Sequence, residues 1–311
     1  MLNNLKKSDI VFVRTKLQAR IVKALILDKV ISNKFIFVRQ FWKDVKEDSI
    51  EVYNLYDEIS AKAVKSYSYV EKDGFTKNVF FIWLLSLLVV MFRGRFIFAT
   101  IDNYEFAIVK KFNPFLKICT FDDGIVNVRK DSVYFSNKGL PKKNIKAKIV
   151  NFLLPNGSAY FLRDKIHSHF TIYKNQENIV EKNRINLIEF DYQLNLLKPD
   201  IEKIDLIIQP NLKILIGPAP TDYKFKINDF LEDKYKNYFD LVILHPRDNS
   251  RPSYAKNSYH FIALAEEVIL YLESINEVRS LEVRHFNSSA GHSLQKTAKL
   301  NIINIRREVD S

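Results

Sequence analysis

Short apolar runs rich in β-branched residues recur along this chain at a spacing that leaves room for one helix between neighbours. That rhythm limits the fold more than any other feature. Ile10-Val11-Phe12-Val13, Phe35-Ile36-Phe37-Val38, Arg95 to Thr100 and Leu116 to Phe121 read as buried strands, with helices expected over 17–29, 59–69 and 79–92. Glu105 to Lys110 reads as a further short strand, and the Lys- and Asn-rich stretch 131–154 as irregular. His169 to Tyr173 and Ile185 to Phe190 read as extended. After Lys198-Pro199-Asp200 the alternation begins again, with strands at Leu212 to Ile216, Leu241 to Leu244, Leu281 to His285 and Ile302 to Ile305, and helices over 259–273 and 289–300. Strand–helix–strand units build parallel sheets. The restart therefore predicts two α/β domains, 1–198 and 199–311, facing each other across a cleft, and 311 residues suffice for a core in each.

Charge narrows the partners. Lys and Arg number 48 against 36 Asp and Glu, a net charge of +12. That balance suits an anionic partner: nucleic acid, a membrane surface, or a phosphorylated or acidic substrate. An AT-rich genome enriched in Lys, Asn and Ile codons would produce the same excess. Cys119, the only cysteine, sits in an apolar run and reads as a core thiol, which leaves no disulfide framework and no cysteine metal site. The opening Met1 to Lys7 is followed by no signal-type apolar region, so cytoplasmic residence is expected. The longest apolar run, Val79 to Phe92, has 14 residues between Lys77 and Arg93 and is too short to cross a bilayer upright. It is expected as a buried helix.

Three strings follow strand-like runs and so fall at the sheet edge where open α/β folds bind ligands. Asp122-Asp123-Gly124 reads first as a plain turn, since Asp and Gly favour strand ends. The alternative is a general base. Neighbouring residues on an extended chain point to opposite sides, so one carboxylate would face a ligand while the other ties down the loop. In His245-Pro246-Arg247 the proline holds His245 extended, and an imidazole there can serve as proton donor to a leaving phosphate or simply form a surface turn. Ser288-Ser289-Ala290 precedes a helical pattern; the serines cap that helix, and its N-terminus suits a phosphate. His285 reads as a strand-surface histidine. The chain carries no G-x-x-x-x-G-K-S/T or G-x-G-x-x-G loop, no G-x-S-x-G elbow and no nucleic-acid module.

Taken in order, these strings resemble those of the bacterial sialyltransferases, and their context resembles glycosyltransferase family 52, the lipooligosaccharide sialyltransferases. Those enzymes share an acidic-acidic-Gly motif, a His-Pro motif and a Ser/Thr-rich motif. Thr120-Phe121-Asp122-Asp123-Gly124-Ile125-Val126-Asn127 and His169-Phe170-Thr171-Ile172-Tyr173-Lys174 resemble two family strings, and Ala265-Glu266-Glu267 with Phe286-Asn287-Ser288-Ser289-Ala290 resembles the end of the nucleotide domain. One departure is Arg14-Thr15-Lys16-Leu17-Gln18, where Lys16 replaces a proline usual in the family.

The resemblance implies a GT-B architecture of two Rossmann-like domains, the first on the acceptor side and the second binding nucleotide. It implies inverting, metal-independent transfer of sialic acid from CMP-sialic acid, with no cofactor, to a terminal galactose-type hydroxyl of lipooligosaccharide or a related surface glycan. Asp123 would be the base, with Asp122 and Gly124 supporting its loop, and His245 would assist the departing phosphate. Pro246, Arg247, Ser288 and Ser289 would hold the nucleotide, and Glu266 or Glu267 the ribose. A homodimer is also implied. With an acceptor at the anionic inner membrane the basic charge has a use in peripheral contact, for which Lys142, Lys143, Lys146 and Lys148 are candidates, the alternative being a solvated basic loop. The rival readings are the same fold with another activated sugar or a capsular acceptor, and a basic nucleic-acid-binding protein.

Overall fold

The computed structural model describes residues 8–41, 50–70, 75–124, 126–130, 132–137, 145–174, 176–190, 192, 196–217, 224–245, 252–261, 263–286, 288–294 and 297–305. The chain divides into two compact units, 1–190 and 191–311. The border falls ahead of the expected 198/199 because Leu196 already packs into the core of the second unit.

The first unit runs β1 (Asp9–Val13), α1 (Lys16–Leu27), β2 (Phe35–Phe41), α2 (Ile50–Lys62), β3 (Lys65–Val70), α3 (Phe75–Met91), β4 (Phe96–Phe98), α4 (Tyr104–Phe112), β5 (Ile118–Phe121), α5 (Ile145–Leu153), α6 (Ser158–Arg163), β6 (Ile166–Thr171) and β7 (Ile185–Leu187). Its seven strands form a parallel sheet in the order β3-β2-β1-β4-β5-β6-β7. The order reverses between β1 and β4, the Rossmann arrangement whose switch point opens a crevice at the carboxyl ends of the strands. Alternate residues of β1 feed two cores. Ile10 and Phe12 join Phe96, Phe98 and the helices α3 to α6, whereas Val11 and Val13 join Ile97 and the helices α1 and α2. Phe12 meets Phe96 and Phe106 edge-on at 5.1 and 4.8 Å between centroids.

The second unit repeats the plan on a smaller scale: α7 (Lys198–Asp205), β8 (Asn211–Ile216), α8 (Lys224–Lys234), β9 (Leu241–Ile243), β10 (Ser258–Tyr259), α9 (Ala265–Ser274), β11 (Ser280–His285), α10 (Ser289–Ser293) and β12 (Leu300–Asn304). Five parallel strands lie in the order β10-β9-β8-β11-β12, with the switch point between β8 and β11. Two Rossmann-like units are therefore present, as the alternation predicts.

Several local expectations fail for identifiable reasons. The helix expected over 59–69 ends at Lys62, and Lys65–Val70 is instead strand β3, paired to β2 at the sheet edge. Glu105 to Lys110 is helical, because the Asn103 side chain accepts from Glu105 N at 2.8 Å and starts α4. The stretch expected to be irregular contains α5. Tyr259 pairs with Ile243 in β10, which delays helix α9 to Ala265. Helix α10 covers only Ser289–Ser293, and Leu300 opens β12.

Helix α3 departs from expectation differently. Asn78, Ile82, Leu85, Ser86 and Val89 are buried, but Phe80, Leu84, Leu87, Leu88 and Met91 lie exposed along its other side. Among the described residues no helix is long and apolar enough to cross a membrane.

Candidate active site

Strand β5 ends at Phe121 and delivers the two adjacent carboxylates to opposite surroundings. Asp122 is fully buried. Its Oδ2 accepts from Ile172 N at 2.7 Å, and its Oδ1 lies 3.0 Å from His169 Nε2. His169 Nδ1 is in turn 2.8 Å from the Thr120 hydroxyl. With its proton on Nε2, the ring donates to Asp122 and accepts from Thr120, so these three buried side chains satisfy one another. Asp122 thereby ties the end of β5 to the end of β6. Gly124, at φ 71°, turns the chain in a conformation that other residues adopt at a cost.

Asp123 keeps 15% of its side chain exposed. Gln18 Nε2 donates to its Oδ1 at 2.6 Å, Tyr134 OH donates to its Oδ2 at 2.6 Å, and Arg14 Nη2 approaches Oδ2 at 3.5 Å. Its backbone N–H donates to Asn127 Oδ1 at 2.6 Å. Burial and the Asp123 charge push the Tyr134 phenol well above its ordinary 10.0, so the ring stays a protonated donor. A carboxylate oxygen offers two lone pairs. Oδ1, engaged by Gln18 among the described residues, retains one.

These partners come from distant segments. Thr15 caps α1 by accepting from Gln18 N, and Gln18 Oε1 accepts from Arg14 N at 2.7 Å. Lys16, in place of the family proline, occupies the first helical position of α1, a place that proline also favours. Sequence reasoning passed over Gln18 as a site residue. The signal was its place on the buried side of α1, with Ala19, Ile21, Val22 and Leu25. Two buried polar atoms at this edge, Thr100 Oγ1 and Asn127 Nδ2, make no hydrogen bond among the described residues, which costs about 1–3 kcal/mol each.

In the second unit the expected residues also fall beyond strand ends. His245 is half-buried, two residues after β9. Pro246 and Arg247 lie outside the described residues. Ser288 Oγ accepts from Gly291 N at 3.0 Å and caps α10. That helix is a single turn of five residues, so the dipole argument for a phosphate at its N-terminus does not hold. His285, expected on the strand surface, is 2% exposed; its Nδ1 accepts from Ser288 N at 3.2 Å, and its ring fills the space where a Gly291 Cβ would stand. Glu267 Oε2 accepts from Leu264 N at 2.8 Å and closes the start of α9, whereas Glu266 Oε1 accepts from Ser293 Oγ at 3.1 Å beside α10. Among the described residues no group of three or more His, Cys, Asp and Glu is gathered to hold a metal ion. Cys119 is buried in β5, where desolvation pushes its thiol up.

Comparison with known proteins bears on these loops. The chain is 27% identical over 156 residues to the CMP-N-acetylneuraminate:beta-galactoside alpha-2,3-sialyltransferase of Pasteurella multocida, covering 49% of this chain and 46% of that protein. It is 25% identical over 211 residues to the N-acetyllactosaminide alpha-2,3-sialyltransferase of Neisseria meningitidis, covering 65% of this chain and 54% of that protein. The matches thus span about half the length of these relatives. A glycosyltransferase structure from Rickettsia africae superposes with a TM-score of 0.44 at 11% identity, covering 98% of this chain and 87% of that one. The profile of Glycosyltransferase family 52 matches residues 32–308, from just before β2 to just past β12, and the chain belongs to that family.

Proposed function

We propose that this chain transfers sialic acid from CMP-sialic acid to a terminal galactose-type hydroxyl of lipooligosaccharide or a related surface glycan, with inversion and without a metal ion. The observation that carries the reading is Asp123, held by Gln18, Tyr134 and Arg14 at the carboxyl edge of the first sheet with one lone pair of Oδ1 open. Membership of the family and the printed activities of the two relatives support the donor and the reaction.

Asp123 accepts the proton of the acceptor hydroxyl as its oxygen bonds to the anomeric carbon. The bond from that carbon to the CMP phosphate breaks, and its electron pair leaves with the phosphate. His245 donates a hydrogen bond or proton to that oxygen. A positioned acid or base contributes about 10²- to 10⁴-fold. The transition state is oxocarbenium-like, and CMP leaves with a single phosphate, which the chain's own donors can neutralise. Ser288, Ser289, Pro246 and Arg247 hold the nucleotide. Of the two glutamates, Glu266 is assigned to the ribose, since Glu267 closes the start of α9. An acceptor of this kind is anchored at the anionic inner membrane, which a net charge of +12 favours.

Calorimetric titration with CMP, UMP, GDP and UDP tests the donor class. CMP should bind at least about tenfold more tightly than the others, a difference of about 1.4 kcal/mol. Preference for UDP or GDP would replace the reading with the same fold acting on another activated sugar. Salt-sensitive DNA binding with no nucleotide preference would favour the nucleic-acid reading.

A further inference from the structure

We infer that the edge of the first sheet opposite Asp123 docks on an anionic lipid bilayer, with phosphate headgroups entering a basic cavity and neighbouring aromatic side chains entering the headgroup–acyl boundary. The surface would serve the membrane-anchored acceptor proposed above, and in that use it rests on that reading.

The cavity, about 410 Å³, opens where β5 and β6 begin and is lined by Lys110, Lys117, Lys165, His167, Arg184 and Phe115. Four cationic side chains there face one carboxylate, Asp164. A second depression continues from Lys117 and His167 to Arg93 and Arg95, where Asp9 pairs with Arg95 at 2.7 Å. Arg184 is steered inward by the carbonyl of Ile166 at 3.2 Å and is 3.5 Å from Glu181. Lys110 donates to the carbonyls of Pro114 and Leu116 at 2.6 and 2.8 Å, which leaves a third donor for a ligand. Desolvation and repulsion from Lys165 lower its pKa, a crowding of like charge that an anion would relieve.

Exposed apolar side chains gather at the same edge. Strands β4, β5 and β6 start there, so α3 and α4 end there, with Met91 and Phe112 exposed at their last turns. Phe115 is 80% exposed at the cavity mouth. The exposed side of α3 continues the apolar surface upward through Leu88, Leu87, Leu84 and Phe80. A rim where Phe alternates with Lys and Arg fits an anionic bilayer, because rings sit at the headgroup level and each cation near the surface adds attraction. A second copy of this chain would set those cations against their equals. Of the lysines that the sequence suggested for this contact, Lys148 is exposed on α5, while Lys142 and Lys143 lie outside the described residues and no side-chain position is described for Lys146.

Sedimentation of the full chain with phosphatidylcholine vesicles, with and without phosphatidylglycerol, tests the docking. Binding should need the anionic lipid and weaken with salt. Phe112→Ser with Phe115→Ser, and separately Lys117→Glu with Lys165→Glu, should each lower the partition coefficient about tenfold or more. Lys198→Glu, on an exposed lysine of the second unit, should change it less than about threefold. Transfer to a soluble acceptor should stay unchanged in every variant, which separates this surface from the catalytic reading. Absence of sedimentation with anionic vesicles overturns the inference, as does an equal loss in Lys198→Glu. Dimerisation abolished by Phe115→Ser, in a chain that ignores vesicles, also overturns it.

Discussion

Gln18 Nε2 and Asp123 Oδ1 lie 2.6 Å apart although 105 positions separate them in the chain. The bond joins the first turn of α1 to the loop after β5, on either side of β4. It fixes the direction of a carboxylate that no local sequence constraint would fix. Gln18→Leu keeps the shape of the helix face but removes the donor. Turnover should fall by about tenfold, the cost of about one charge-assisted hydrogen bond, with CMP affinity within a few-fold of the parent. Steady-state kinetics beside CMP titration would check this, and a change confined to CMP affinity would count against it.

Asp123→Ala should reduce transfer by at least about 10²-fold while the fold and CMP binding persist. Quench-based assay of CMP release with acceptor present measures the loss. Full turnover in the variant would move the base to another residue.

His245→Ala should lower turnover by about 10²-fold or more. The loss should shrink with a donor analogue whose leaving group is more acidic, because less help is then needed. A uniform loss across leaving groups would assign His245 to binding.

Asp122 carries a different expectation, because it is fully buried and holds His169 and Ile172 N. Asp122→Ala should destabilise the chain by about 2–6 kcal/mol, about 1–3 for each of the two buried donors left unpaired. Urea melts of the variant give the figure directly, and a change below about 1 kcal/mol would contradict the pairing.

Tyr134 adds a pH dependence. Its folded-state pKa is raised above the ordinary 10.0, so the phenol ionises more readily in the unfolded chain. The resulting stability is full below that ordinary value and declines as pH rises from it toward the folded-state value. Melts of the parent and of Tyr134→Phe, taken near neutrality and at increasing pH above 10.0, should converge. A gap independent of pH would mean that the phenol is not shielded.

The strands were legible because β-branched and aromatic runs report burial directly, and Ile10–Val13, Leu212–Ile216 and Leu281–His285 needed little else. Strand β3 was not. Its Lys65-Ser66-Tyr67-Ser68-Tyr69 alternates polar and aromatic residues at a sheet edge, and this followed a helical segment closely enough to read as its continuation. Helix α4 misled through Phe106, Ile108 and Val109, which are buried as core residues of a helix and read as a strand. At the site, the Asp-Asp-Gly string was visible, but its setting was not. Gln18, Arg14 and Tyr134 reach Asp123 only through packing of segments that propensity cannot relate. His285 was misjudged because its cover, the Ser288–Gly291 turn, depends on the absence of a side chain at Gly291, where a Cβ would lie 2.3 Å from the imidazole.

Strand β5 has Asp123 beyond one end and the cationic, aromatic rim at the other. Four residues at about 3.3 Å each, extended by the loop to Asp123, make a stand-off of about 15 Å. If lipid lies against the rim, the sheet works as a gauge of length. A hydroxyl at the far tip of a tethered oligosaccharide arrives level with Asp123, and one on the sugar next to its anchor falls short. Reach would then sort acceptors that share the same terminal sugar.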